Sequence, residues 1–280
     1  MKQGLFGLGL LAAVAAAGPV SAQGYTGPLI DAHVHYSHDA WDMLPAEKAV
    51  AILRSEARLA KVLVSSSSDD GTQKLYAVAP DLIVPELRPY RSRGELSTWF
   101  RDETVIAHLE DRLKRHRYVG IGEFHLYGAA ADLPVPRRMV QLAKQYRLFL
   151  HAHSDAEAVD RIFAQDPDAL VLWAHSGFDR PDAVRAMLAK HKNLWADLAF
   201  RSEHARDGKV DPDWGRLFAD YPDRFMVGTD TFTPERWYYI AEHAAWSRAW
   251  LGSLPPDLAA RIAHKNAEAL FARTGFGAAQ

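Results

Sequence analysis

The sequence contains no cysteine among its 280 residues. This excludes a disulfide framework, a thiolate nucleophile and any zinc or iron–sulfur site with cysteine ligands. An excess of positive charge is also missing, because 33 Lys and Arg face 35 Asp and Glu, for a net charge of −2. A protein that binds nucleic acid phosphates would need a basic face. We therefore expect a small-molecule partner and no nucleic acid, and any metal must be held by nitrogen and oxygen ligands.

No segment after the N-terminus approaches the roughly 20 apolar residues that a membrane-spanning helix requires. At the N-terminus, Lys2 precedes an uncharged apolar run over residues 5–17, and small residues follow it up to Ala22. This order is typical of a secretory signal peptide. An uncleaved membrane anchor is the alternative, and the shortness of the run disfavours it. We expect residues 1–22 to be removed and residues 23–280 to form one exported domain, periplasmic or secreted.

Short runs rich in β-branched and aromatic residues alternate with amphipathic helical patterns along the rest of the chain. The predicted strands are residues 29–36, 61–66, 82–88, 119–126, 148–153, 170–175, 194–200 and 225–231, and the clearest helices are 46–58, 104–116, 135–146, 156–163 and 181–191. Such alternation indicates βαβ units and a parallel sheet. Eight units match the size of a single (β/α)₈ TIM barrel. An open doubly wound sheet is the alternative, but no Gly-rich dinucleotide loop follows the first strand.

Polar side chains stand where the predicted strands end, which is where barrel enzymes carry their chemistry. The first strand ends in His33-Val34-His35. Residues two apart on a strand share a face, so both imidazoles point into the barrel. Comparable residues end the fourth, fifth, sixth and eighth strands: Glu123, His151, His175 and Asp230. Imidazole and carboxylate ligands together suit Zn²⁺, Mn²⁺ or Fe²⁺, so these six residues are the predicted metal ligands.

The fifth strand offers two histidines, His151 and His153, that point the same way. We predict His151 as the metal ligand because it lies deeper in the strand, and we expect His153 to face the substrate. His125, two residues after Glu123, is a second candidate for substrate contact, and a purely structural role is its alternative.

Other substrate contacts are predicted near the third strand. Arg88 ends that strand and can bind a substrate carboxylate or phosphate through two hydrogen bonds. A salt bridge to Glu86 or a neighbouring acid is the alternative. Aromatic residues that could give the cavity an apolar wall are Trp41, Trp173 and Phe232.

The ordered set of these residues resembles the amidohydrolase superfamily, metal-dependent hydrolases built on a distorted (β/α)₈ barrel. The resemblance spans the chain after the predicted signal peptide, and residues 264–271 are similar to the closing helix of the amidohydrolase-2 (amidohydrolase-related) branch. It implies that His33, His35 and Asp230 hold one metal ion, that His151 and His175 hold a second, and that Glu123 bridges the two. Many members of that branch, including its decarboxylases, lack a fourth-strand ligand and carry one metal. Glu123 departs from that pattern.

These observations predict an exported hydrolase with two divalent ions, zinc first and manganese or iron as alternatives. We expect cleavage of a C–N or C–O bond in an amide, lactone or ester, with Asp230 as the general base that takes the proton of the attacking water. The alternatives are a phosphoesterase or TatD-like nuclease, a mononuclear non-oxidative decarboxylase, and a metal- or ligand-binding protein without turnover. The oligomeric state stays open.

Overall fold

A computed structural model describes residues 24–276 of the chain. The predicted signal peptide, residues 1–22, lies outside the described residues. Within residues 24–276, no helix is both long enough and apolar enough to cross a membrane.

Eight parallel strands form one sheet in the order β1-β2-β3-β4-β5-β6-β7-β10. The strands are β1 Ile30–Val34, β2 Lys61–Val64, β3 Ile83–Leu87, β4 Gly120–Leu126, β5 Phe149–Ser154, β6 Val171–Trp173, β7 Leu194–Asp197 and β10 Phe225–Met226, with a separate antiparallel hairpin of β8 Ala205–Arg206 and β9 Lys209–Val210. The sheet closes on itself because the Ala32 amide donates to the Val227 carbonyl at 2.8 Å and the His35 amide donates to the Thr231 carbonyl at 2.8 Å. The predicted (β/α)₈ barrel is thereby confirmed.

The helices surround this sheet. They are α1 His38–Trp41, α2 Ala46–Ala51, α3 Asp70–Val78, α4 Thr104–Arg115, α5 Pro134–Tyr146, α6 Ala156–Gln165, α7 Pro181–Lys190, α8 Pro212–Asp220, α9 Pro234–Trp237, α10 Ile240–Leu251, α11 Pro256–Ala260 and α12 Asn266–Ala272. The sequence sets many of these bounds, since five helices have proline in their first turn, where its missing N–H costs nothing. Helix α4 buries Val105, Leu109 and Leu113, spaced four apart, against the sheet.

All eight predicted strands are present, but several end earlier than predicted. Strand β7 ends at Asp197 and β10 at Met226, whereas the predicted runs continue to residues 200 and 231. In both cases the chain leaves the sheet ladder and turns over the barrel mouth, with left-handed backbone at Phe200 and Asp230. The predicted helix over 46–58 consists of α2 and a π-helical turn over Ile52–Glu56.

An apolar layer fills the end of the barrel at which the strands begin. It consists of buried side chains that pack on α12: Leu63, Val84, Phe149, Trp195 and Met226. Side chains two residues apart on a strand share a face. The next inward residue on β3, β5 and β7 is therefore polar: Glu86, His151 and Asp197. The apolar layer thus forms the floor beneath a polar upper layer.

His204 is fully buried among the rings of Trp214, Phe218, Trp246 and Trp250. Neither ring nitrogen has a hydrogen-bond partner among the described residues. Burial lowers the pKa of His204 to about 4, from an unfolded value near 6.5. As the pH falls below about 6.5 the unfolded chain takes up this proton and the folded chain does not, so stability is lost progressively down to about pH 4.

We therefore expect His204→Leu to remove part of this acid sensitivity. Between pH 7.5 and 5, wild type should lose about 2 kcal/mol of unfolding free energy more than the variant. Urea denaturation at the two pH values measures the difference, and His116→Leu, at a partly exposed site, controls for the loss of one imidazole. Equal losses in wild type and His204→Leu would contradict the prediction.

Candidate metal centre

The upper layer of the barrel begins with the two histidines of the first strand. His33 and His35 point inward, and each ring is held through Nδ1. The Nδ1 atom of His33 lies 3.1 Å from Asp197 Oδ2, and the Nδ1 atom of His35 donates to the Ser65 carbonyl at 2.6 Å. Both Nε2 atoms are buried and have no hydrogen-bond partner among the described residues. Buried polar atoms are rarely left unsatisfied, so the pair indicates a site for a bound group.

Two carboxylates face these nitrogens. Asp230 Oδ1 lies 3.7 Å from His33 Nε2 and 3.4 Å from His35 Nε2. Glu123 places Oε1 3.5 Å from His33 Nε2 and Oε2 3.3 Å from His35 Nε2. Ligands about 2.1 Å from a tetrahedral zinc ion stand about 3.4 Å apart. The donor types and their spacing therefore fit a divalent metal ion.

The charges of these histidines and carboxylates also fit a divalent metal ion. Burial opposes protonation of His33, but the carboxylates of Asp197, Glu123 and Asp230 together raise its pKa well above the usual value. Burial opposes ionisation of Asp230, yet the charge of His33 and the adjacent His35 ring lower its pKa to about 2. The cluster thus gathers negative charge that a divalent cation would balance.

Two further histidines face the Glu123 oxygen that faces His33. His175 Nε2 stands 3.3 Å from Glu123 Oε1, and its Nδ1 donates to the Ala199 carbonyl at 2.9 Å. His153 Nδ1 lies 2.7 Å from the same carboxylate oxygen. Glu123 Oε1 therefore lies within 3.5 Å of nitrogens from three histidine rings.

A family model for amidohydrolases (Amidohydro_2) matches residues 30–273. The chain belongs to the amidohydrolase family. The predicted family is confirmed, and membership supports a hydrolase-like enzyme. No curated protein matches the sequence significantly.

Solved structures share the fold of this amidohydrolase at low sequence identity. An uncharacterised TIM-barrel protein from Bordetella bronchiseptica has 16% identity and a TM-score of 0.60, covering 89% of this chain and 99% of its own. A β-aspartyl dipeptidase from Fervidobacterium islandicum has 14% identity and a TM-score of 0.52, covering 86% and 72%. A protein described as a putative 2-pyrone-4,6-dicarboxylic acid hydrolase, from Pseudomonas putida, has 14% identity and a TM-score of 0.51, covering 88% and 98%.

In the amidohydrolase, His151 lies one inward position deeper in the barrel than His153. It is fully buried, with Nδ1 3.1 Å from Glu86 Oε2 and Nε2 2.9 Å from Asp197 Oδ2. Burial opposes protonation, but the Glu86 carboxylate and a hydrogen bond with Asp197 raise the pKa of His151 to about 9. Both nitrogens of the predicted ligand therefore face carboxylates, and His153, predicted to face substrate, is the fifth-strand histidine beside Glu123.

Asp197 is a central residue that the sequence analysis did not select. It accepts hydrogen bonds from the rings of His33 and His151 and from the amides of His175 and Ala199. Although burial opposes ionisation, the charge of His33 and these contacts lower the pKa of Asp197. A signal was present, because Asp197 follows Trp195 by two positions on an apolar strand, the pattern that selected His33.

The three residues predicted to contact the substrate lie around Glu123. Arg88 is buried, and it donates through Nη2 to Glu123 Oε2 at 2.7 Å and through Nε to the Glu123 carbonyl at 3.0 Å. Its partner is thus Glu123 and not Glu86. The His125 ring stacks on His153 at 3.9 Å between centroids, and its Nδ1 lies 3.0 Å from the Tyr90 hydroxyl. Arg88, His125 and His153 all line one cavity of about 250 Å³ above Glu123.

The loop that carries Asp230 is fixed from both sides. Arg236 donates to the Asp230 carbonyl at 2.8 Å and to the Thr229 carbonyl at 2.7 Å. On the first strand, the Asp31 carboxylate accepts from the Thr229 hydroxyl at 2.7 Å and from the His33 amide at 3.1 Å. Asp31 thereby connects the first strand to the Asp230 loop, which positions His33 against Asp230.

Proposed function

We propose that this amidohydrolase is a metal-dependent hydrolase that cleaves a C–N or C–O bond in a small amide, lactone or ester. The observation that carries the proposal is the pair of buried Nε2 atoms of His33 and His35, which have no hydrogen-bond partner within residues 24–276 and face Asp230 and Glu123 at ligand spacing. Amidohydrolase membership and the hydrolases among the structural neighbours support it.

The ligand sets follow from the contacts. His33, His35 and Asp230 would hold one ion, and Glu123 with His175 and His153 a second, so that His153 takes the role first assigned to His151. The imidazole and carboxylate donors favour zinc, with manganese or iron as alternatives. A divalent ion in this place would supply an activated water at neutral pH and would polarise the carbonyl oxygen next to the scissile bond.

The protein's own groups would then move the protons. Asp230 is 13% exposed to the cavity, and its Oδ1 faces the two first-strand histidines. A carboxylate has lone pairs to spare, so Asp230 would accept the proton of the attacking water and return it to the leaving group. Arg88 would hold Glu123 in place, and His125 and Tyr90 would form the polar wall beside the substrate.

One observation favours the mononuclear alternative, a non-oxidative decarboxylase. Arg88 already occupies Glu123 Oε2 at 2.7 Å. A carboxylate that bridges two ions through both of its oxygens would have to share Oε2 between Arg88 and one ion, so this ion pair weakens that bridge. The phosphoesterase and nuclease alternatives gain no such support. Export after removal of residues 1–22 stays a prediction from the sequence.

Metal content is the first test. We expect purified wild type to hold two ions per chain by elemental analysis, and Glu123→Ala to hold one or none. Glu123→Gln keeps a hydrogen-bond acceptor for Arg88, and Glu110→Ala, a surface residue paired with Arg138, is the matched control. One ion in both wild type and Glu123→Ala would move the assignment to the mononuclear alternative. No ion after reconstitution with zinc, manganese and iron would overturn the proposed centre.

A further inference from the structure

Three phenylalanines stand around the mouth of the cavity above the candidate metal centre. Phe178 follows β6, Phe200 follows β7 and Phe232 follows β10. Phe178 and Phe200 are 52% and 53% exposed. By contrast, Phe124, Phe149, Phe218 and Phe225 are completely buried. Exposed apolar side chains grouped beside a polar site are typical of ligand binding. We call these three residues the aromatic rim.

The rim is held in an unfavourable backbone conformation. Phe178 and Phe200 both have φ of 55°, in the left-handed region that bulky residues rarely adopt. Such conformations persist where the surroundings impose them, often at functional sites. Arg201, itself buried, donates to the carbonyls of His175 and Asp179, which flank Phe178. These hydrogen bonds fix the backbone of the loop that carries Phe178.

The rim also reaches the ligand histidines. The Phe178 ring stacks on His175, with centroids 4.5 Å apart and planes 21° apart, and it lies 5.7 Å from His153. The Phe200 and Phe232 rings are 6.2 Å apart, and the Arg236 guanidinium lies over both. A flat group placed against the rim would therefore lie directly beside Glu123 and Asp230, where the proposed reaction takes place.

The cavity is also lined by two arginines, and both are paired with carboxylates. Arg88 is bound to Glu123 and Arg93 to Asp39. Because each guanidinium is already balanced by a carboxylate, it attracts an anionic substrate less than an unpaired arginine would. The volume of about 250 Å³ is also below the range of about 300–1,000 Å³ that drug-sized ligands occupy. Both observations favour a small, uncharged substrate.

We propose that the substrate carries one uncharged aromatic ring next to the bond that is cleaved, and that Phe178, Phe200 and Phe232 bind that ring. Offset and edge-to-face contacts between aromatic rings stabilise such binding beyond simple burial. The reaction at the adjacent bond rests on the proposed hydrolase function, whereas binding of the ring does not.

The test compares two matched pairs of molecules. Benzyl acetate and ethyl acetate are ester substrates that differ in the ring. The ketones 4-phenyl-2-butanone and 2-pentanone replace the ester oxygen with a methylene group, so they bind without being hydrolysed. Calorimetry on the metal-loaded protein gives Kd for the ketones, and steady-state kinetics gives kcat/KM for the esters. We expect wild type to prefer the aromatic member of each pair at least tenfold.

The variants assign that preference to the rim. Phe178→Ala and Phe200→Ala should each raise the Kd of 4-phenyl-2-butanone at least fivefold and should reduce the preference for benzyl acetate over ethyl acetate. Phe200→Gly should bind as weakly as Phe200→Ala and keep the wild-type Tm, because glycine adopts positive φ readily. Tyr239→Ala removes a 53% exposed ring outside the cavity and should change nothing.

Two results would overturn the proposal: equal affinity of wild type for the two ketones, or unchanged affinity in both alanine variants. If neither ester is hydrolysed but the phenyl ketone binds in a rim-dependent way, the aromatic site stands and the hydrolase assignment fails. If both esters are hydrolysed but wild type binds the two ketones equally, the hydrolase stands and the aromatic site fails.

Discussion

Asp230→Asn is expected to lower kcat by about 10²–10⁴-fold, the range typical of a lost general acid–base group. Asn can keep a carbonyl oxygen where Asp230 Oδ1 faces His33 and His35, so much of the metal should be retained. An amide cannot take up the proton of the attacking water or return it to the leaving group. The variant thus separates metal binding from proton transfer.

The measurement is kcat on the best substrate from a panel of lactones, amides and esters, together with elemental analysis of each preparation. His33→Ala is the contrasting variant, because it removes a ligand and should lose the metal itself. Asp220→Asn, which changes an exposed carboxylate paired with Arg185, should leave both quantities unchanged. A near-wild-type kcat in Asp230→Asn would show that Asp230 is not the general base.

Asp197→Asn is expected to cost about 3–5 kcal/mol of unfolding free energy, the range measured when one partner of a buried ion pair is removed. Asp197 is fully buried and accepts from four donors, including the His33 and His151 rings. The NH₂ group of the asparagine amide would then face one of the N–H groups that donate to Asp197, and the two cannot form a hydrogen bond with each other. The contact that orients His33 would also weaken, so metal affinity should fall about 10–100-fold.

Urea denaturation measures the stability change, and titration with Zn²⁺ measures the affinity. Glu86→Gln gives the matched comparison, because Glu86 contacts His151 and not His33. It should lower stability and leave zinc affinity close to that of wild type. If Asp197→Asn kept wild-type zinc affinity, orientation of His33 by Asp197 would be refuted. If it kept wild-type stability, the buried network would contribute little to folding.

Much of the barrel could be predicted from the sequence because its periodicities are local. Alternating or continuous apolar runs mark the strands, and a spacing of three to four marks helices such as α4. The inward face of each strand follows from the same alternation, so the side chains of His33, His35, Glu123, His175 and Asp230 were selected without knowledge of the fold. All five lie in the upper layer.

The choice between His151 and His153 could not be made in this way. Both point inward, and which of them reaches Glu123 depends on how β5 is staggered against β4. The pairing shifts between Gly122 and Phe124, so that His151 lies opposite Gly122 and His153 opposite His125. Stagger between neighbouring strands is a property of the closed barrel and leaves no pattern within one strand.

The aromatic rim shows a second limit of sequence reasoning. In the sequence, Phe178 and Phe200 are ordinary apolar residues near the end of a predicted strand. Their exposure follows from left-handed backbone at both positions, which the loops and the buried Arg201 impose. Phe232 alone was predicted as part of an apolar wall. Trp173, predicted with it, is instead fully buried and donates to the Ser154 carbonyl.

The contact between Asp31 and Thr229 joins residues 198 positions apart, and the same junction of the first strand with the loop after β10 brings His33 close to Asp230. A growing chain therefore lacks the ligand group until the eighth strand has been made and has docked on the first. Metal binding by the proposed centre would then be a late event, which follows completion of the fold and does not accompany synthesis. Because selectivity among such ions depends strongly on supply, the metal bound would be one available in the compartment where the last strand docks on the first.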